Sequence, residues 1–375
     1  MSQATHGGII IRNARFHVTL KLNYKHMKLN KLLWASALIS VSFACSDSGE
    51  EKPLGKYDNG ILIMNEGNFG TNDGEVYYLN PNTEELLPNI FEAENLRPFA
   101  GLLEDMVLEA DRLYLVANTG KVEIVNPADF KSLGAVSAEL DQPRSLAVNG
   151  SKLFISDYGP YDASYATPDS YVAVVNGLDG GVVSKKIEVS DKPEDLFSYE
   201  NYIFVASSEA NKIEIIDATQ ETVVTTIELE ASPKQFNAEG GILWVYAIAT
   251  DEVIFYTLNL SSLTLENSYT VPVANATNRI SFDGDDKMYI LTSSGYPDYN
   301  DAVVTIDIEG NTATATELMT GSGFYGIGFD DDLDQIYVAN SNGFQGNGTV
   351  TVLSETGSVI RSFEVGRGPS GFLVY

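Results

Sequence analysis

Cys45 is the only cysteine of this chain, and His6, His17 and His26 are its only histidines. These four residues are the only thiol and imidazoles of a 375-residue protein, and all lie within the first 45 positions. A lone cysteine can be a core residue, a nucleophile, half of an intermolecular disulfide or an attachment point. Its neighbours decide. From Met27 the chain reads MKLNKLLWASALISVSFAC: Lys28 and Lys31 give a positive start, Leu32 to Phe43 an apolar middle, and Ala44 a small residue directly before Cys45. This is the three-part plan of a secretory signal, with an apolar run too short for a bilayer core of roughly 30 Å.

The segment resembles a bacterial lipoprotein signal, in which the cysteine becomes the acylated first residue of the mature chain, although Ser42 stands where leucine is commonest. The resemblance implies a signal peptide over 27–44 and lipidation at Cys45; a core helix opening a cytosolic fold is the alternative. Residues 1–26 obey none of this logic and read as a start codon called too early. Residues 45–59, CSDSGEEKPLGKYDN, show no apolar periodicity and read as a tether. Their early acidic residues resemble the surface-export signal of Bacteroidetes lipoproteins.

A mature chain beginning at Cys45 has no histidine and no second cysteine. Serine–histidine and cysteine–histidine catalysis are then excluded, as are zinc sites of the usual kind. Acid–base work would fall to carboxylates, lysine or tyrosine. The expectation is therefore a protein that is not an enzyme, without cofactor or metal. Six of the 23 basic residues precede Cys45 and no acidic residue does, which leaves 17 against 52 and a net charge of −35. That balance argues against nucleic acid and anionic membrane surfaces as partners, so membrane contact is expected through the lipid anchor only.

The elements that would position a site come from residues 60–375, which are short apolar runs separated by Gly, Asn, Asp and Pro. That is a strand-and-turn pattern with no sustained helical period. Aligning the strongest strand of each unit gives ILIM, LYLV, LFIS, IFVA, LWVY, MYIL and IYVA. The third-column residues are Ile63, Tyr114, Phe154, Phe204, Trp244, Tyr289 and Tyr337; the six aromatics are spaced 40, 50, 40, 45 and 48 apart. Seven units of about four strands predict an all-β fold, a seven-bladed β-propeller. A two-sheet sandwich would show cleaner alternation and no long period. The first unit lacks a leading strand and the last residues, PSGFLVY, form a strand without a blade, so Phe372 to Tyr375 is expected to close the ring as the inner strand of blade one.

The repeats, the MNEGNFG opening and the VGRGPSGFLVY close resemble the YncE-like and surface-layer-type propellers found as Bacteroidetes surface lipoproteins. One branch of that family binds cobalamin and caps a TonB-dependent outer-membrane transporter. The resemblance implies a lipid-anchored outer-membrane protein, exposed at the cell surface or, alternatively, facing the periplasm. It would capture a nutrient such as a corrinoid for that transporter. Other members serve other nutrients or have no known ligand. A metal-dependent propeller lactonase and an adhesion module for protein or glycan are the alternatives.

In a propeller, the loops between second and third strands and the crossings between blades meet on one face. Four of those loops are long: NEGNFGTNDG, SDYGPYDASYATPDS, SSGYPDYND and NSNGFQGNG. Long loops on a rigid scaffold often carry function. They supply Glu66, Asn68, Phe69, Asp157, Tyr158, Tyr161, Tyr165, Tyr296, Tyr299, Asn340 and Phe344 as ligand-binding candidates. Rings beside amides suit a large flat ligand with polar edges, a sugar or a protein partner; mutual packing of the loops is the plainer reading. The crossings combine proline with a base, giving Arg97, Arg144, Lys192, Lys234, Arg279 and Arg367, expected as a basic ring at the channel mouth. Such a ring would bind carboxylate or phosphate oxygens, or merely offset the acidic surface. FDGDDKMY and FDDDLDQIY read as hairpin turns rather than calcium loops, and GSGFYGIG lacks the strand-to-helix context of a phosphate cradle.

Overall fold

The structure, a computed structural model, describes residues 55–374 apart from residues 240, 285 and 286. Cys45, residues 1–26, the 27–44 signal segment and most of the 45–59 tether lie outside the described residues. Seven four-stranded antiparallel sheets follow one another along the chain and form the blades of a propeller. Blades two to seven span 103–136, 143–188, 193–228, 232–272, 276–321 and 324–364. Blade one combines the strands Ile61–Asn65, Glu75–Leu79 and Leu86–Leu87 with the last strand of the chain, Pro369–Val374. Ile61, Leu62 and Ile63 pair with Val374, Leu373 and Phe372, so the ring closes by main-chain hydrogen bonds between opposite ends of the propeller sequence. The closing strand starts three residues earlier than the sequence suggests, at Pro369, because Pro369 pairs with Asn65 across a bulge.

The continuous apolar runs have a direct cause: both faces of each blade are covered by neighbours. The second strand of blade two, Arg112–Ala117, is buried at five consecutive positions. Seven apolar clusters result, one at each blade interface. The cluster that seals the ring packs Ile61, Ile63 and Leu79 of blade one on Tyr337, Val350 and Val352 of blade seven. Of the column aromatics, Tyr114, Phe154, Phe204, Tyr289 and Tyr337 are fully buried. Trp244 is half-buried, with its ring 5.7 Å from that of Tyr269.

Among the described residues the helical content is one six-residue helix, Ile90–Asn95, and a single 3-10 turn, Asn342–Phe344. The helix tucks Ile90 and Phe91 into the interface between blades one and two. No helix among the described residues is long and apolar enough to cross a membrane.

Each inner strand carries a register shift near its start. The pairing slips between Leu103 and Asp105, Pro143 and Leu146, Pro193 and Leu196, Pro233 and Gln235, Ala276 and Ile280, Phe324 and Gly326, and Pro369 and Gly371. A bulge leaves a residue outside the ladder and re-aims its side chain. This repeated irregularity builds the candidate site.

Candidate functional site

The residues these slips leave outside the ladder include Glu104, Arg144, Glu194, Lys234, Arg279, Tyr325 and Ser370, one from each blade, and in three blades also Ser145, Asp195, and Thr277 with Asn278. They sit at the starts of the inner strands, on the same end of the propeller as the loops between second and third strands. Apart from the buried Ser370, the side chains of the first seven meet across blades. Arg144 Nη1 lies 2.9 Å from Glu104 Oε1, and Lys234 Nζ lies 3.7 Å from Glu194 Oε1. Asn118 also donates to Glu104, and the Ser208 hydroxyl donates to Glu194 at 3.3 Å. The Arg279 guanidinium lies 5.0 Å from the centre of the Tyr325 ring. The Tyr325 hydroxyl donates to Glu66 Oε2 at 2.6 Å. Next to this ring, the Ser145 hydroxyl sits 2.8 Å from Asp105 Oδ2 and 2.9 Å from Asp195 Oδ1. Asp195 Oδ2 accepts the Phe236 N–H at 2.8 Å. This polar belt ties blades two to five together at the axis.

The electrostatics follow from partial burial. Burial raises the Glu66 carboxyl above its ordinary range, and the nearby Glu104 adds to that; the Tyr325 hydroxyl, Arg279 and Arg144 pull the other way. Burial works against the charge on Arg144, yet Glu104, Tyr158, Glu194 and Glu66 together hold its affinity for the proton above normal. Burial, then Glu66, pushes the Tyr325 phenol up, so it stays a donor at any physiological pH.

The expected basic ring is therefore a ring of mixed sign. Arg144, Lys234 and Arg279 do reach the mouth, but Glu104, Glu194 and Glu66 share it, with Glu194 between Arg144 and Lys234 in blade order. Like charges crowded in a low-dielectric opening would repel one another, and interleaved acids remove that cost. Arg97 and Lys192 pair outside the ring, Lys192 near enough for Glu194 to raise its affinity for the proton after its own partner Glu209 has done so. Arg97 makes two 2.9 Å contacts to Glu123 and lies 4.9 Å from the centre of the Phe91 ring; Lys192 pairs with Glu209 at 2.7 Å. Each base is fastened to a carboxylate of the blade it leads into. Arg367 is half-buried at the last crossing, where its carbonyl accepts the Gly67 N–H at 3.0 Å. Gly67 has φ +92°, and a Cβ there would fall 2.4 Å from the Gly74 nitrogen, so only glycine fits this neck of the first long loop.

The loop candidates divide into scaffold and surface. Asp157 is fully buried and accepts the N–H groups of Asp141, Gln142 and Gly159 at 2.7–2.9 Å, which makes it the clasp of a turn. Tyr158 is buried beneath Arg144, with its ring centre 4.8 Å from the guanidinium, and positions that cation. Asn68 holds its own loop through Thr71 and Asp73. Asn340 donates to the Ser322 carbonyl and accepts the Asn342 N–H. Of the remaining aromatics Tyr299 is half-buried and the others face outward. Phe69, Tyr165 and Tyr296 are 89%, 82% and 85% exposed, and Tyr161 and Phe344 are 51% and 37% exposed. Tyr161 and Tyr165 sit 6.4 Å apart, and Tyr296 and Tyr299 6.2 Å apart, as ring pairs. Phe344 stands edge-on to Tyr325, 4.9 Å away at 80°.

Glu104, Glu194 and Tyr325 are the site residues that sequence reasoning missed. A signal exists in the aligned strand starts LEDM, PRSL, PEDL, PKQF, FYGI and PSGF, where the second letter is the bulged residue. A shallow open groove of about 540 Å³ lies elsewhere, against the outer strands of blades four and five near Thr225–Ile227 and Ser262–Leu265, and holds no ionisable side chain. Among the described residues no three of His, Cys, Asp and Glu come together as a metal-holding group.

No curated protein matches this sequence. Among solved structures the chain is similar to a quinonprotein alcohol dehydrogenase-like protein of Bacteroides thetaiotaomicron (TM-score 0.61, 11% identity, 85% of this chain and 78% of that one). It is also similar to a 6-phosphogluconolactonase-like protein of Bacteroides fragilis (0.60, 14%, 85% and 98%). A third likeness is to hydrazine synthase of Kuenenia stuttgartiensis (0.53, 16%, 70% and 85%). At these identities the likeness shows the propeller fold alone. The family described as Domain of unknown function (DUF5074) matches residues 59–365, nearly the whole propeller, and the chain belongs to that family.

Proposed function

We propose that this protein is a lipid-anchored binding protein of the outer-membrane surface. It captures a small nutrient on the loop face and passes it to a TonB-dependent transporter, and a corrinoid such as cobalamin is the first ligand to test. One observation carries the reading. Phe69, Tyr161, Tyr165, Tyr296 and Phe344 stay exposed on long loops at the propeller end whose centre holds the mixed-charge ring. Exposed rings around convergent polar groups are the usual make-up of a ligand site. The corrinoid and the anchor come from the resemblance of the repeats and of the segment ending at Cys45.

The test is calorimetry of the chain from Ser46 onward with cobalamin, haem and sugars. Saturable cobalamin binding that the triple substitution Phe69→Ser, Tyr165→Ser, Tyr296→Ser weakens at least tenfold is expected, about 1.4 kcal/mol or more. Wild-type affinity in that variant would move the site off this face. Cys45→Ser should leave the melting curve of the propeller unchanged while releasing the protein from membranes. A metal-dependent lactonase is the second reading, raised by the name of the Bacteroides fragilis neighbour; EDTA-sensitive lactone hydrolysis would establish it.

A further inference from the structure

Two of the three cations at the mouth are neutralised by a carboxylate from an adjacent blade: Arg144 by Glu104 and Lys234 by Glu194. Among the described residues Arg279 has no carboxylate within ion-pair distance, only the face of Tyr325. The third acid, Glu66, likewise has no cation within that distance and accepts the Tyr325 hydroxyl instead. One seam, made by blades six, seven and one, thus carries a guanidinium and a carboxylate that feel each other's charge but make no ion-pair contact, with a single tyrosine touching both. Arg279, Tyr325 and Glu66 are all half-buried, neither sealed in the core nor free in solvent. Tyr325 is edge-on to Phe344, which is partly exposed on the neighbouring loop.

Opposite charges that do not pair with each other ask for a ligand that carries both. A purely anionic molecule on Arg279 would be repelled by Glu66, whose charge burial already disfavours. A purely cationic one would meet Arg279. We propose that this seam binds a dipolar small molecule, with an amine and a carboxylate a few ångström apart on an apolar body, such as an aromatic amino acid or a short peptide containing one. The Arg279 fork takes the carboxylate by paired hydrogen bonds, Glu66 takes the ammonium, and Tyr325 and Phe344 cover the apolar part. The inference rests on reading the loop face as ligand-binding, and it narrows that reading to a charge pattern.

The experiment compares three probes with one skeleton by calorimetry on the chain from Ser46 onward: phenylalanine, 2-phenylethylamine and 3-phenylpropanoate. Phenylalanine is expected to bind, and each half-charged analogue to bind at least about tenfold more weakly, because each leaves one buried charge unanswered. Glu66→Gln should erase the advantage over 3-phenylpropanoate, and Arg279→Gln the advantage over 2-phenylethylamine. Tyr325→Phe, which keeps the ring and loses the hydroxyl, should act like a weaker Glu66→Gln. Melting curves matching wild type show that each variant is folded. Equal affinity for all three probes, or no binding of any at millimolar concentration, overturns the proposal. Cobalamin binding without phenylalanine binding removes this site and leaves the loop-face reading standing. Phenylalanine binding that both variants abolish, without cobalamin binding, does the reverse for the corrinoid.

Discussion

Glu75 opens the third strand of blade one, buried, and its Oε1 accepts the Val76 N–H at 3.0 Å and the Phe91 N–H at 3.1 Å. It thereby anchors the first turn of the only α-helix among the described residues. Burial pushes its carboxyl up to about 7 in spite of those donors. The unfolded chain releases that proton near the ordinary value of 4.5, so between there and 7 the folded state binds more protons and stability falls as pH rises. Glu75→Gln keeps the acceptor and deletes the charge. It should stabilise the protein at pH 8 by about 1–3 kcal/mol, with the gain vanishing towards pH 5; an equal gain at both pH values in denaturant titrations would refute the account. Burial also sets the contrast between two arginines. Removing Arg144 strands Glu104 beside the axis and should cost about 3–5 kcal/mol. Arg97→Ala, at a side chain 43% exposed, should cost about 1 kcal/mol or less. Sequence found Arg144 because proline-plus-base recurs at the crossings. It could not show that Arg97 turns to Glu123, and although Glu104 and Glu194 share the repeat position of Arg144 in the aligned strand starts, that this position leaves the ladder is visible only in the pairing.

At the scale of elements, the strand Pro369–Val374 has the largest consequence. It is the inner strand of blade one, and the sealing cluster between blades seven and one includes Phe372 and Val374. Truncation after Gly368 should abolish the cooperative thermal transition or lower its midpoint by well over ten degrees, in contrast to loss of a free tail. A melting curve like that of the full chain would show that the ring does not depend on this closure. The long loops behave in the opposite way. Tyr161→Ser with Tyr165→Ser removes two outward rings and should shift stability by no more than about 0.5 kcal/mol. Loop length was legible in the sequence, because each loop lies between two recognisable strands. The helix Ile90–Asn95 was not, because six residues span fewer than two turns and leave no period to detect. The division of loop residues into clasp and surface was also hidden. Asp157 and Tyr165 have similar neighbours in sequence, but one sits where three N–H groups converge and the other does not.

For the whole molecule, the seven-fold repeat made the architecture legible, since the same apolar column recurs at every blade interface. The excess of 52 acidic over 23 basic residues works against compaction through self-repulsion. Raising the salt from about 10 to about 150 mM shortens the Debye length from roughly 30 to 8 Å and should raise the melting temperature. A fall would mean that the ion pairs at the mouth outweigh the surface field. The repeated bulge has one more effect. A side chain within a ladder is constrained by its cross-strand neighbours and by the adjoining blade, so changing it disturbs packing on two sides. The bulged positions escape the ladder's constraint, and six of them answer instead to a partner on an adjacent blade. The mouth therefore works like a lock whose letters are exchanged in pairs: a base and the carboxylate it answers, such as Arg144 and Glu104, must change together if the frame is to keep its stability while the key changes.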